Sequence, residues 1–139
     1  MLFQKEIKLT PRSRGFYDIT NEILQGLSEM KSLNKGMLHV FIKHSSASIM
    51  INYNADQTVM TDLENQLNKM VPENQPYYRH TYEGPDDMPA HIKAAIIGNS
   101  VQIPVKNGML ELGTWQGVFL GEHRNFGGAR KLMLTAWGE

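Results

Sequence analysis

The residues with the most chemical potential lie close together in Leu112–Arg130, LGTWQGVFLGEHRNFGGAR, which sets Trp115, Glu122, His123, Arg124 and Arg130 among five glycines. Val118-Phe119-Leu120 has the composition of a buried strand that runs straight into Gly121-Glu122-His123-Arg124. Side chains alternate along a strand, so His123 shares a face with Phe119 and Gly121, and Glu122 with Val118 and Leu120. A glycine beside an imidazole leaves room for another group to approach. Asn125-Phe126-Gly127-Gly128 reads as a turn, because paired glycines accept backbone angles other residues resist.

Four of the five histidines fall at element ends: His44, His80, His91 and His123. Neutral imidazole is a good ligand for zinc and related metals. A shared site needs three or four of them to converge, and there is no local HExxH pattern to bring them together. Taken singly, each is equally an isolated hydrogen-bonding residue. His39 faces away from His44 on its strand. Asp86 and Asp87 precede Pro89 and His91. They can hold a cation, take a proton, orient a histidine, or simply cap the helix that Pro89 begins. Ser45, Ser46 and Ser48, with Arg124 and Arg130, suit an anion such as phosphate, since hydroxyls donate and guanidinium binds phosphate bidentately. Backbone N–H groups near Gly127-Gly128 can add to such a site, and a polar turn beside solvated arginines is the plainer account. Trp115 with Gln116 can hold a flat heterocycle or pack as core.

The elements that must carry these residues are a mixture. Leu2–Leu9 alternates as a strand, and Pro11 and Gly15 bound a loop. Ile19, Ile23, Leu27 and Met30 form the stripe of a helix starting near Asp18 or Thr20 and stopped by Asn34-Lys35-Gly36. Met37–His44 and the run resuming at Ile49 are strands. Asn54 and Gln57 cap a second helix with Val59, Leu63, Leu67 and Met70 on its apolar face, ended by Pro72. The segment 76–88 has no assignable period. His91–Ile97 is a short helix with Pro89 at its first position and Gly98 closing it. Val101–Val105, the Asn107-Gly108 hairpin signal, the central strand and Lys131–Trp137 complete the chain. About seven strands and three helices without βα alternation predict an α+β fold, a largely antiparallel or mixed sheet packed with helices.

The 139 residues predict one domain, with 41% hydrophobic and 20% charged residues. Fourteen basic residues balance fourteen acidic ones, so nucleic acid and membrane surfaces have no electrostatic support as partners. The absence of cysteine excludes disulfides and thiolate chemistry. There is neither a signal-peptide pattern nor an apolar run near the roughly 20 residues of a membrane helix, and the expected location is cytoplasmic.

Several segments together resemble the YjbQ family, also described as secondary thiamine-phosphate synthases. They are Asp18-Ile19-Thr20, His44-Ser45-Ser46-Ala47, Ile51-Asn52, Ala55-Asp56, Met88-Pro89-Ala90-His91-Ile92-Lys93, Ile103-Pro104-Val105, Leu112-Gly113-Thr114-Trp115-Gln116-Gly117, Glu122-His123-Arg124 and Gly127-Gly128. Departures are Ser45 where the family often has threonine, Pro85 within Gly84–Asp87, Gly121 where a cysteine is common, and Ala129 where a serine is common. The resemblance implies a homotrimer with a histidine-lined, metal-binding pocket near the subunit boundary. It makes His44, His91 and His123 the metal ligands, with His80 a further participant. The metal expected for imidazole ligands is zinc or nickel, with magnesium an option for a diphosphate substrate. The implied activity is a transferase joining an aminopyrimidine diphosphate to a thiazole phosphate. Chemical suitability then assigns Glu122, Asp87 and His80 to catalysis, and Ser45, Ser46, Trp115, Gln116, Arg124 and Arg130 to binding a small phosphorylated metabolite. A metal-dependent hydrolase and a non-catalytic anion- or metal-binding oligomer are the alternatives.

Overall fold

The alternation in Leu2–Leu9 forms strand β1, which pairs antiparallel along its whole length with the C-terminal strand β8 (Arg130–Gly138). These coordinates are a computed structural model describing residues 1–139. β8 also pairs with β3 (Lys35–Ile42), and β3 with β5 (Ser100–Lys106), which turns at Asn107-Gly108 into the short β6 (Met109–Leu110). Both turn residues have positive φ, 52° and 74°, as a two-residue hairpin loop requires. The five-stranded sheet has the order β1-β8-β3-β5-β6.

A second sheet has the order β2-β7-β4, from Gly15–Asp18, Gln116–Glu122 and Ala47–Tyr53. Every pairing is antiparallel. The fold is therefore α+β as expected, with its strands divided between two sheets. β2 fills the gap between the loop bounded by Gly15 and the helix start near Asp18, where no strand was expected; four residues opening on a glycine are too short to show a period.

The main core lies between the sheets and the first helix. It takes Leu38, Val40 and Ile42 from β3, Leu132, Leu134 and Ala136 from β8, and Val118 and Leu120 from β7. Phe119, pointing the other way, joins Phe16, Met60 and Leu67 in a smaller cluster under the second helix. Alternation along β7 thus serves two apolar layers at once.

Helix α1 is shorter than the apolar stripe suggests, Thr20–Gly26, followed by one 3-10 segment at Ser28–Ser32. Gly26 packs so closely on β1 that a Cβ there would lie 2.6 Å from Ile7 Cγ2. Beyond it, Leu27, Met30 and Leu33 are all buried, and a spacing of three fits the tighter helix. Helix α2 spans Gln57–Met70 and is capped by Asp56, whose carboxylate accepts the Thr58 N–H at 3.0 Å; Asn54, expected to cap it, instead bonds to the Gln116 carbonyl. Helix α3 spans Asp87–Ile97, four residues earlier than expected. Pro89 is tolerated there because the first-turn N–H groups have no helical partner to lose. Asp86 stands at the cap position without making a side-chain cap.

Candidate metal centre

Residues four apart on a helix share a face, and α3 uses this to bring His91 over Asp87. His91 Nε2 lies 3.0 Å from Asp87 Oδ2, and His80 Nε2, from the preceding loop, lies 2.6 Å from the same oxygen. One ligand atom from each of the three residues falls within 4.8 Å of the others, and this is the one group of three such residues in the chain. Asp87 is at the bottom, 2% exposed, while the two imidazoles are about 30% exposed at the mouth. A cleft of about 170 Å³ opens beside His80, lined also by Tyr78, Thr81 and Met88.

The hydrogen bonds test whether a cation fits. His91 Nδ1 is 3.0 Å from the Ser45 carbonyl oxygen. That oxygen can only accept, so Nδ1 carries a proton. In the neutral ring the lone pair is then on Nε2, facing the Asp87 carboxylate. Two lone pairs cannot face each other at that distance without a proton or a cation between them. Fixing one ring nitrogen on a carbonyl so that the other can ligate is the usual arrangement of metal-binding histidine. Two imidazole nitrogens and one carboxylate oxygen suit zinc or nickel better than magnesium. Burial alone would raise the Asp87 pKa, but its contacts with His80 and His91 and the nearby Arg124 guanidinium outweigh it and hold the carboxyl below its usual range.

The neighbouring residues hold this group in place. Asp86 is buried and accepts the Asn125 N–H at 2.9 Å and two bonds from Arg124 at 3.4 Å. Arg124 also donates to the Glu83 carbonyl at 2.7 Å and lies 3.3 Å from Asp87 Oδ1. The end of β7 is thereby clamped to the loop bearing His80. Burial opposes ionisation of Asp86 too, yet the Asn125 N–H and Arg124 bring its pKa below the usual range. Among the Arg124 nitrogens, Nη1 makes no hydrogen bond to the chain.

The other residues singled out in the sequence are placed elsewhere. His44 Nε2 accepts the Lys131 N–H at 2.9 Å, and burial with the nearby Arg130 lowers its pKa; that nitrogen is a structural acceptor. His123 is fully buried, its Nε2 2.8 Å from Ser48 Oγ. Gly121 makes this pair possible, since a Cβ there would collide with Ser48 Oγ and the imidazole. The group that approaches the imidazole is the serine hydroxyl. Neither His44 nor His123 joins His91 in a ligand set within the chain.

Glu122 and Arg130 form a buried two-pronged ion pair, 2.8 Å and 2.6 Å. Glu122 also accepts the Arg124 N–H, and Arg130 donates to the Ser46 carbonyl. With Glu122 0% exposed and both oxygens engaged, it is a brace between β7 and β8 and cannot reach a substrate proton. Arg130 is locked in the same brace. Gly127 is required above it, because a Cβ would lie 2.5 Å from Glu122 Oε1 and 2.6 Å from Arg130 Nη2. Ser45 serves the cluster through its carbonyl, and Ser46 serves Arg130 in the same way. Trp115 is 59% exposed beside Tyr53, at the opposite end of β4 from Ser45. Six strand steps, roughly 20 Å, separate the two ends.

Two residues escaped the sequence reading. Ser48 was grouped with the anion-binding serines, although its place in the strand opposite Gly121 marks it as inward-facing. Lys93 is wholly buried, bonded to Asn68 at 2.6 Å, and burial lowers its pKa; its position three residues after Ala90 on the packed face of α3 was the available signal.

A family model described as UPF0047 protein YjbQ-like matches residues 5–139. The UPF0047 protein YjbQ of Escherichia coli O157:H7 is 47% identical over 139 residues, covering 100% of both chains. That of Salmonella typhimurium (strain LT2) is 48% identical over the same span. A YjbQ/UPF0047-family structure from Clostridium acetobutylicum superposes with a TM-score of 0.82 at 38% identity, covering 93% of this chain and 96% of that one. A structure from Sulfolobus solfataricus P2 described as YbjQ-like gives 0.86 at 24% identity over 100% of this chain and 99% of that one, a likeness of fold. The match from residue 5 to the C-terminus, with two relatives near half identical over their full lengths, places this chain in the YjbQ-like UPF0047 protein family.

Proposed function

We propose that the chain is a metal-dependent enzyme acting on a small phosphorylated metabolite, with zinc or nickel held by His80, Asp87 and His91. The observation that carries this reading is the convergence of those three ligands beside Arg124, whose Nε lies 3.3 Å from Asp87 Oδ1. A bound metal would neutralise negative charge on a phosphate or diphosphate oxygen. Ser45 holds His91 in the ligating tautomer, Asp86 fixes the loop, and Arg124 offers one N–H pair to a phosphate oxygen. Within this class the family resemblance favours synthase-type transfer. The thiazole nitrogen forms a bond to the pyrimidine methylene carbon as the carbon–oxygen bond breaks, and diphosphate leaves with the electron pair. Cytoplasmic location and a homotrimer belong to the same reading. No helix is long and apolar enough to cross a membrane.

Hydrolysis of a phosphorylated metabolite is the second reading. It is favoured by the position of Trp115, too far along β4 to stack on a ring at the cluster of its own chain. The test supplies both transferase substrates to zinc-loaded protein, to chelator-treated protein and to Asp87→Asn. The expected result is product formation that falls at least about 100-fold in the last two. Release of inorganic phosphate without joined product selects hydrolysis. A rate indifferent to chelator and to Asp87→Asn overturns both readings.

A further inference from the structure

A second cavity, about 290 Å³, lies between α2 and the small sheet, at the end of β4 away from the histidines. Its floor is apolar, formed by Phe16, Met60 and Phe119, all buried. Asp18 and Asp56 stand among its lining residues, and no lysine or arginine does. Each carboxylate has one oxygen engaged. Asp18 Oδ1 accepts the Thr20 N–H at 2.9 Å and its hydroxyl at 2.6 Å, and Asp56 Oδ1 accepts the Thr58 N–H. The second oxygen of each makes no hydrogen bond or ion pair.

The Gly113–Gly117 segment packs against the lining residues Asp18, Tyr53 and Asn54. Gln116 N–H donates to the Gly113 carbonyl at 3.0 Å, and the Gln116 side chain closes the same turn by accepting the Gly113 N–H at 2.7 Å. The turn leaves Trp115 outside, its ring 6.3 Å from that of Tyr53, while its carbonyl accepts the Asn54 N–H. Gly117 has no Cβ where one would lie 2.6 Å from Asp18 Oδ2, so the free carboxylate oxygen can lie against β7. The same five residues thus present an exposed indole and make room for an unpartnered carboxylate oxygen. On Tyr17, another lining residue, the Arg12 guanidinium lies 5.5 Å from the ring centroid.

We propose that this cavity binds a small organic cation with a flat ring, of the amidinium or aminopyridinium class. The charged nitrogen meets the free oxygens of Asp18 and Asp56, and the ring lies along Tyr53 and the apolar floor. Carboxylates paired with aromatic faces favour such a ligand over an anion, which the acids repel, and over a bare metal ion, which gains little from apolar walls. The site is separate from the histidine–aspartate cluster and does not rest on the metal reading.

Benzamidine and its neutral isostere benzamide are the probes, with binding followed by Trp115 fluorescence in a Trp137→Phe background and by calorimetry on the wild-type chain. The expected result is benzamidine binding with a dissociation constant of about 1 mM or tighter. Benzamide should bind at least about tenfold more weakly, and Asp18→Asn should weaken benzamidine about fivefold or more. Asn keeps the oxygen that accepts from Thr20, so an unchanged melting temperature confirms that the fold is intact. Asp87→Asn should leave benzamidine binding unchanged, which separates this site from the metal site. Equal affinity for the two probes, no binding of benzamidine at several millimolar, or indifference to Asp18→Asn overturns the proposal.

Discussion

Replacing Arg130 by methionine is expected to destabilise the chain by about 3–5 kcal/mol, because it leaves the Glu122 carboxylate buried without its countercharge. Glu122 is 0% exposed and Arg130 4%. Once the guanidinium is gone, the only remaining donor to Glu122 is the Arg124 N–H. Total stability for a domain of this size is about 5–15 kcal/mol, so the loss is a large share of it. In thermal unfolding the midpoint should fall by roughly 10 °C or more. Adding Glu122→Gln should recover much of the loss, since glutamine keeps an acceptor for Arg124 and removes the stranded charge. A single variant as stable as wild type, or a double variant worse than the single, would show that the pair is not the brace between β7 and β8.

The second large effect is on the pH dependence of stability and comes from His123. Burial, with Lys93 and Arg130 nearby, pushes its pKa down to about 3 in the folded chain, against about 6.5 when unfolded. Above about pH 6.5 the ring is neutral in both states, and stability does not depend on it. Between about 6.5 and 3 the unfolded chain binds a proton that the folded chain refuses. Stability must therefore fall as pH falls, by at most about 1.4 kcal/mol per pH unit. Urea unfolding near pH 7 and near pH 5 should show a loss of about 2 kcal/mol from this group. The Asp86 and Asp87 carboxyls, held below their usual range, lose their stabilising ionisation only at lower pH, and so leave this window clear. His44 acts in the same direction as His123, which makes His123→Gln the necessary comparison. That variant should lose about one proton's worth of slope, and an unchanged slope would contradict the burial argument.

Both effects trace to the strand that the sequence made prominent, and they show which parts of it were legible. Alternation along Val118–His123 correctly set Glu122 on the face of Val118 and Leu120. Those residues are core, so the acid was turned inward and needed a buried partner. Its partner, Arg130, is eight residues away across a glycine turn, too far for any local period to reveal. The hairpin at Asn107-Gly108, the antiparallel pairing and the helices were readable because each rests on local chemistry. The exchange of cap from Asn54 to Asp56 and the early start of α3 were not, because tertiary bonds decided which partner each side chain met.

The candidate site divides in the same way. Asp87 and His91, four apart, could be placed on one helix face from spacing alone. His80 comes from a stretch without a period, and its position depends on Arg124 and Asp86, 38 residues apart in sequence, holding the loop against β7. The resemblance pointed to His44, His91 and His123, which share a motif character but not a location. Imidazoles at element ends look alike in sequence, and only the fold shows that one accepts a backbone N–H, one meets a buried serine and one joins an aspartate.

The most direct test of this account is the metal content per chain of untagged protein after zinc or nickel loading and dialysis, measured for wild type, His80→Ala, Asp87→Asn, His91→Ala, His44→Ala and His123→Gln. The account predicts about one metal per chain in wild type, His44→Ala and His123→Gln. It predicts loss of the metal in His80→Ala, Asp87→Asn and His91→Ala. A wild-type chain that takes up neither metal, or one that keeps it without Asp87 and loses it with His44 or His123, would contradict the account.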